Sequence, residues 1–264
     1  MDRRGLARLF VIASMVLLMA AHGIAQAESG PDAVDNINIG SSSSYTASGT
    51  GYAVWAVAGN VTALSITNTQ SSQFWQGYYG NISGDIVLDD ADDNMLFSWA
   101  LATPSGEIFA VNHSGSVSWR NITCVNLTNT TGSGEMTGAS KINRSSIQSA
   151  YNLTDANYEN ITATFNQTLD TSLVIAARTI TASQQCPQLN TYVDGEWQSS
   201  SFNEVLLYDN DTSLVFTSIL ENSVDGFREG SDDTHDFQMM VLEDGTPGGP
   251  DASVTNYYFY VELD

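Results

Sequence analysis

Short runs of apolar residues, broken by turn-forming residues, recur along this chain. Tyr52-Ala53-Val54-Trp55-Ala56-Val57 predicts a strand, Gly59-Asn60 a turn, and Val61, Leu64 and Ile66 a continuation. Residues 75–79, 85–89, 95–101 and 107–111 predict four more strands, the last two separated by Thr103-Pro104-Ser105-Gly106, which is good turn chemistry. Residues 117–124 predict another strand, and 126–140, rich in Thr, Gly and Ser, a loop. Over 145–165, Ile147, Tyr151 and Tyr158 stand at roughly helical spacing behind Ser145 or Ser146, so one short helix is expected there. Strands return at 172–180, at 202–208 and 214–220 around the turn Asp209-Asn210-Asp211, at 237–242 and at 257–263. Strands at this spacing predict an all-β fold, a β-sandwich or jelly roll with at most one short helix.

Two segments precede the first strand. Arg3, Arg4 and Arg8 lead into an apolar run from Leu9 to Ile24, and Ala25-Gln26-Ala27 supplies a small-x-small cleavage pattern. Residues 1–27 therefore predict a cleaved signal peptide, the apolar core being shorter than a spanning helix requires. Residues 28–51 are rich in Ser, Gly, Ala and Asp and predict a flexible N-terminal arm, in which Val34, Ile37 and Ile39 could add a strand. The sandwich is expected over 52–264, as one unit or as two packed halves, 52–125 and 170–264.

Charge narrows the partners. The chain has 8 basic and 30 acidic side chains, and without residues 1–27 the balance is 5 to 29. Such a surface repels nucleic acid and anionic lipid, and no later stretch is apolar enough to predict a membrane span after processing. The two cysteines, Cys124 and Cys186, predict one disulfide outside the cytoplasm, worth roughly 3–4 kcal/mol through the loop it closes.

The densest chemical signal is the sequon Asn-x-Ser/Thr. It occurs at Asn60, Asn81, Asn112, Asn121, Asn126, Asn129, Asn143, Asn152, Asn160, Asn166 and Asn210, eleven of the 20 asparagines. Ser and Thr make up 55 of the 264 residues, so chance would place about four. The pattern predicts N-glycosylation on exposed backbone. The last 54 residues carry no sequon, which predicts that the terminal hairpin and final strand are buried or form an interface.

Other candidate chemistry is thinner. Asp89, Asp90, Asp92 and Asp93 form an acidic run that could take Ca²⁺, although Met95 and Leu101 break the calcium-loop pattern and a solvated hairpin turn is the simpler reading. A second acidic group, Asp225, Glu229, Asp232, Asp233 and Asp236, surrounds His235. Trp75, Tyr78 and Tyr79 are candidate sugar-stacking residues, with core packing as the alternative. Glu107 and Glu204 are a carboxylate pair of the kind a glycosidase uses. No nucleophile elbow is present, and no catalytic residue or cofactor is assigned.

The stretch Gly59-Asn60-Val61-Thr62, Trp75-Gln76-Gly77-Tyr78-Tyr79-Gly80-Asn81-Ile82-Ser83-Gly84, Trp99 and Gly106-Glu107-Ile108-Phe109-Ala110 resembles secreted β-rich cell-surface glycoproteins of archaea. So do Glu204-Val205-Leu206-Leu207-Tyr208-Asp209, Asp236-Phe237-Gln238-Met239 and Tyr257-Tyr258-Phe259-Tyr260-Val261-Glu262. The resemblance implies an archaeal envelope setting and carries no activity. The expected function is an extracellular or cell-surface structural glycoprotein, an envelope-layer or filament subunit that assembles with itself or with other envelope proteins. A carbohydrate-binding module and a secreted hydrolase are the alternatives.

Overall fold

The computed structural model describes residues 30–45, 53–113, 115–128, 142–230, 233–243 and 255–263. The signal-peptide segment 1–27 and the sequon at Asn129 lie outside them. In chain order the strands of the first half are β1 (Asp32–Ala33), β2 (Trp75–Gly80), β3 (Asp85–Asp89), β4 (Met95–Ala100), β5 (Gly106–Val111) and β6 (Thr123–Cys124). Two short helices follow, α1 (Arg144–Ala150) and α2 (Ile161–Thr164). The chain then forms β7 (Gln167–Thr168), β8 (Leu173–Ile175), β9 (Arg178–Ile180), β10 (Pro187–Asn190), β11 (Asn203–Tyr208) and β12 (Leu214–Ile219). It closes with β13 (Val224–Asp225), β14 (Thr234–His235), β15 (Phe237–Leu242) and β16 (Tyr258–Leu263).

The fold is mostly β. An antiparallel sheet runs in the order β1-β16-β5-β12-β11-β10-β7, with β6 paired to the second half of β11. Its central strands are buried on both faces, which is why their sequences read as continuous apolar runs rather than strict alternations. Ile108, Ala110, Leu206 and Phe216 face one core, closed by the β2–β15 ladder, α1 and α2. Phe109, Val111, Val205, Leu207 and Val215 face a second core, closed by the β8–β9 hairpin, Ile122 and Cys186. This gives the sandwich-like arrangement.

Strands from the two halves of the chain interleave. β5 lies between β16 and β12, and β6 joins β11, so the sheet is not built as separate units over 52–125 and 170–264. The arm also docks on its own chain. Asp32 and Ala33 pair with Val261 and Tyr260, and Gly30 lies so close to Trp119 that a Cβ there would sit 2.3 Å from the indole. The final strand, β16, is held between β1 and β5, with its side chains half-buried and Tyr258 exposed.

Several predicted elements differ. Residues 53–72 form no strand: the Gly59-Asn60 turn is present, with the Asn60 N–H donating to the Val57 carbonyl at 3.2 Å, but no partner strand flanks it. Residues 117–124 form a 3-10 turn at Trp119–Asn121 before β6, because Ser118 and Asn121 bond side chain to side chain and to the local backbone. The strand expected over 172–180 is a hairpin, β8–β9, folded at Ala176 and Ala177, both with positive φ. The helix expected over 145–165 is two pieces. Asn143, not a serine, caps α1, and the chain turns left-handed at Asn152 before Asn160 caps α2. Ile147 and Tyr151 face the core, whereas Tyr158 is exposed between the helices.

Candidate functional site

The described sequon asparagines divide by exposure. Asn60, Asn81, Asn121, Asn126, Asn152, Asn166 and Asn210 are exposed. Asn112 is half-buried: its side chain donates to the Tyr151 hydroxyl at 3.1 Å and accepts the Leu214 N–H at 3.0 Å. Asn160 is half-buried and accepts the N–H groups of Thr162 and Ala163. Asn143 is buried inside a capping box with Ser146, so a sugar there would require that corner to open. Cys124 and Cys186 form a disulfide with Cα atoms 4.9 Å apart, tying β6 to the start of β10 beside the second core.

The candidate stacking residues do not make one platform. Tyr78 and Tyr79 are neighbours on β2 and therefore point to opposite faces. Tyr78 packs edge-on against Phe259, while Trp75 donates its indole N–H to the Glu159 carbonyl and packs on Phe165. Tyr79 joins a separate cluster with Phe227, His235 and Arg228, whose guanidinium lies 5.1 Å from the Tyr79 ring centroid.

The carboxylate pair is also divided. Glu204 stands opposite Ser218, which stands opposite Ile108, so Glu204 shares the face of Ile108. Glu107 precedes Ile108 and faces the other core, so the two carboxyls cannot flank one glycosidic bond. Glu204 is fully buried. One oxygen accepts the Met240 N–H at 2.7 Å and the other has no hydrogen-bond partner among the described residues. Burial pushes its carboxyl well above the usual range, outweighing the Met240 bond. Nearby, the Tyr257 hydroxyl donates to the Leu242 carbonyl and meets the Tyr151 hydroxyl at 3.1 Å, and burial raises Tyr257 well above an ordinary tyrosine.

Three members of the acidic groups, Asp90, Asp233 and Asp236, serve local structure. Asp90 accepts the N–H groups of Asn94 and Asp92, and those bonds, the Asn94 backbone bond first, hold its carboxyl below the usual range. Asp236 accepts the N–H groups of Ile82 and Ser223, and Asp233 pairs with Arg228. Burial lowers His235 against the opposing pull of Asp233. Among the described residues, no group of three His, Cys, Asp or Glu side chains is placed to hold a metal ion, and no helix is long and apolar enough to cross a membrane.

No family model, curated protein or solved structure matches this chain.

The feature that sequence reasoning missed is an exposed apolar surface. Val54, Trp55, Val57, Val61, Leu64 and Ile66 stand in solvent, Trp55 with 89% of its surface accessible. The β3–β4 hairpin is a two-stranded sheet whose apolar residues are also exposed, Leu96 at 79%. The signal was present as strand-like apolar runs. What the sequence could not supply was that, among the described residues, nothing of their own chain covers these runs.

Proposed function

We propose that this chain is an extracellular, cell-surface structural glycoprotein of archaeal type, assembling into an envelope layer or filament. The observation that carries the reading is the placement of seven sequon asparagines at exposed positions outside both cores, as glycan attachment requires. The Cys124–Cys186 bond supports an oxidising compartment. The acidic balance of 30 to 8 suits a protein that stays dissolved among many copies. The carbohydrate-module and glycosidase alternatives lose their geometric basis with the separation of Tyr78 from Tyr79 and of Glu107 from Glu204.

Glycopeptide mass spectrometry on protein taken from cell surface and culture fluid tests this reading. Sugar is expected on most of the seven exposed asparagines, with Glu28 as the first residue. Intact, sugar-free chains confined to the cytoplasm would overturn it.

A further inference from the structure

Among the described residues, thirteen of the 24 large apolar side chains that stand exposed lie in segment 53–66 and in the β3–β4 hairpin. Exposure on this scale marks an interaction surface. Three observations identify what covers it.

The first is charge. Residues 36–84 contain no Asp, Glu, Lys or Arg, 49 consecutive positions in a chain with 38 charged side chains. Copies carrying a net charge of −22 repel one another, and this stretch can approach another copy without contributing to that repulsion. In the hairpin, the acids stand at Asp85, Asp89 and the turn, leaving Ile86, Leu88, Leu96 and Phe97 between them.

The second is area. A specific interface clears about 1,000 Å² of total buried surface. The six apolar side chains of segment 53–66 on one copy and the seven of the hairpin on the other, Trp55, Phe97 and Trp99 among them, together supply on the order of 1,000 Å² when aromatic residues bury about 150–250 Å² each.

The third is position. β2 is paired to β15 along its whole length and so holds a fixed, extended course of roughly 20 Å. Segment 53–66 leads into the Trp75 end of β2, and the hairpin follows the Gly80 end. The two apolar elements leave the body from opposite ends of one strand. They are placed to meet between copies.

We propose that segment 53–66 of one copy packs along the β3–β4 hairpin of a second copy, in a head-to-tail series. Such a contact is heterologous, and its repetition gives a closed ring or an open filament. The inference rests on the assembling role proposed above and names the contact.

Two variants of the processed full-length protein test it by light scattering after size exclusion. One lacks 53–66, and the other carries Leu96→Asp with Phe97→Asp. Wild type is expected to run as multiples of the single chain that grow with concentration. Each variant alone is expected to run as a single chain with an unchanged melting temperature, since these residues lie outside both cores. Mixed, the two variants restore one intact contact, so two-chain species and nothing larger should form. Wild type remaining a single chain at every concentration would overturn the proposal. So would either variant assembling like wild type, or a mixture that stays unpaired. Flotation of single chains with phosphatidylcholine vesicles, abolished by the deletion, would assign the surface to a bilayer and also overturn it. Bare asparagines in a protein that passes the mixing test would sink the glycoprotein reading and leave this contact standing.

Discussion

Glu204 shows how one buried side chain can set a pH response. Its carboxyl is raised in the folded protein relative to an unfolded chain near 4.5. The folded state therefore holds the proton more tightly, and the stability this provides is complete below the unfolded value and lost as pH rises through the folded one. Denaturant midpoints should fall as pH is taken from 4 towards neutrality, and Glu204→Gln should remove much of that slope. A slope unchanged by the substitution would assign the effect to other groups, such as half-buried Glu221. Asn143 makes a second residue-level case. Its sequon is as good as its neighbours', yet the asparagine is buried as a helix cap. Peptide mapping should find it bare, and Asn143→Ala should cost about 1 kcal/mol in chemical denaturation. The sequon was legible in sequence. The competing use of the same carboxamide depended on the fold of α1.

Eight strands were legible in the sequence. β2, β3, β4, β5, β11, β12, β15 and β16 fall within a residue or two of the expected runs, because each combines β-branched or aromatic residues with flanking turn chemistry. The hairpin turn at Ala176-Ala177 gave no such cue, since alanine has no preference for positive φ; here the Glu262 carboxylate accepts the Ala176 N–H at 3.0 Å and helps hold the turn. β10 was hidden by its composition, Pro187-Gln188-Leu189-Asn190, with the proline tolerated at the first strand position. The N-terminal arm yields an element-scale prediction. Gly30→Val would drive a side chain into Trp119, so β1 should detach while the remaining strands persist. Limited proteolysis should then cut the arm rapidly, with the melting temperature of the body little changed. Resistance equal to wild type would mean that Trp119 moves aside.

At the scale of the molecule, the disulfide ties β6 to β10 across 62 residues of sequence. Its loss through Cys186→Ser should cost about 4 kcal/mol in denaturant unfolding, from the entropy returned to the open chain. A cost near zero would place the stabilisation elsewhere. The candidate site was less legible than the fold at this scale. Pairings such as Glu107 with Glu204, or Tyr78 with Tyr79, depend on strand register, and register is set by contacts across the whole chain. The same long-range register governs how the protein matures. β5 receives β16 from about 150 residues downstream, and β1 pairs only with that same late strand. A chain that has not yet delivered Tyr258–Leu263 therefore presents one unzipped border of β5 to its surroundings, and a pairing this distant in sequence is slow to close.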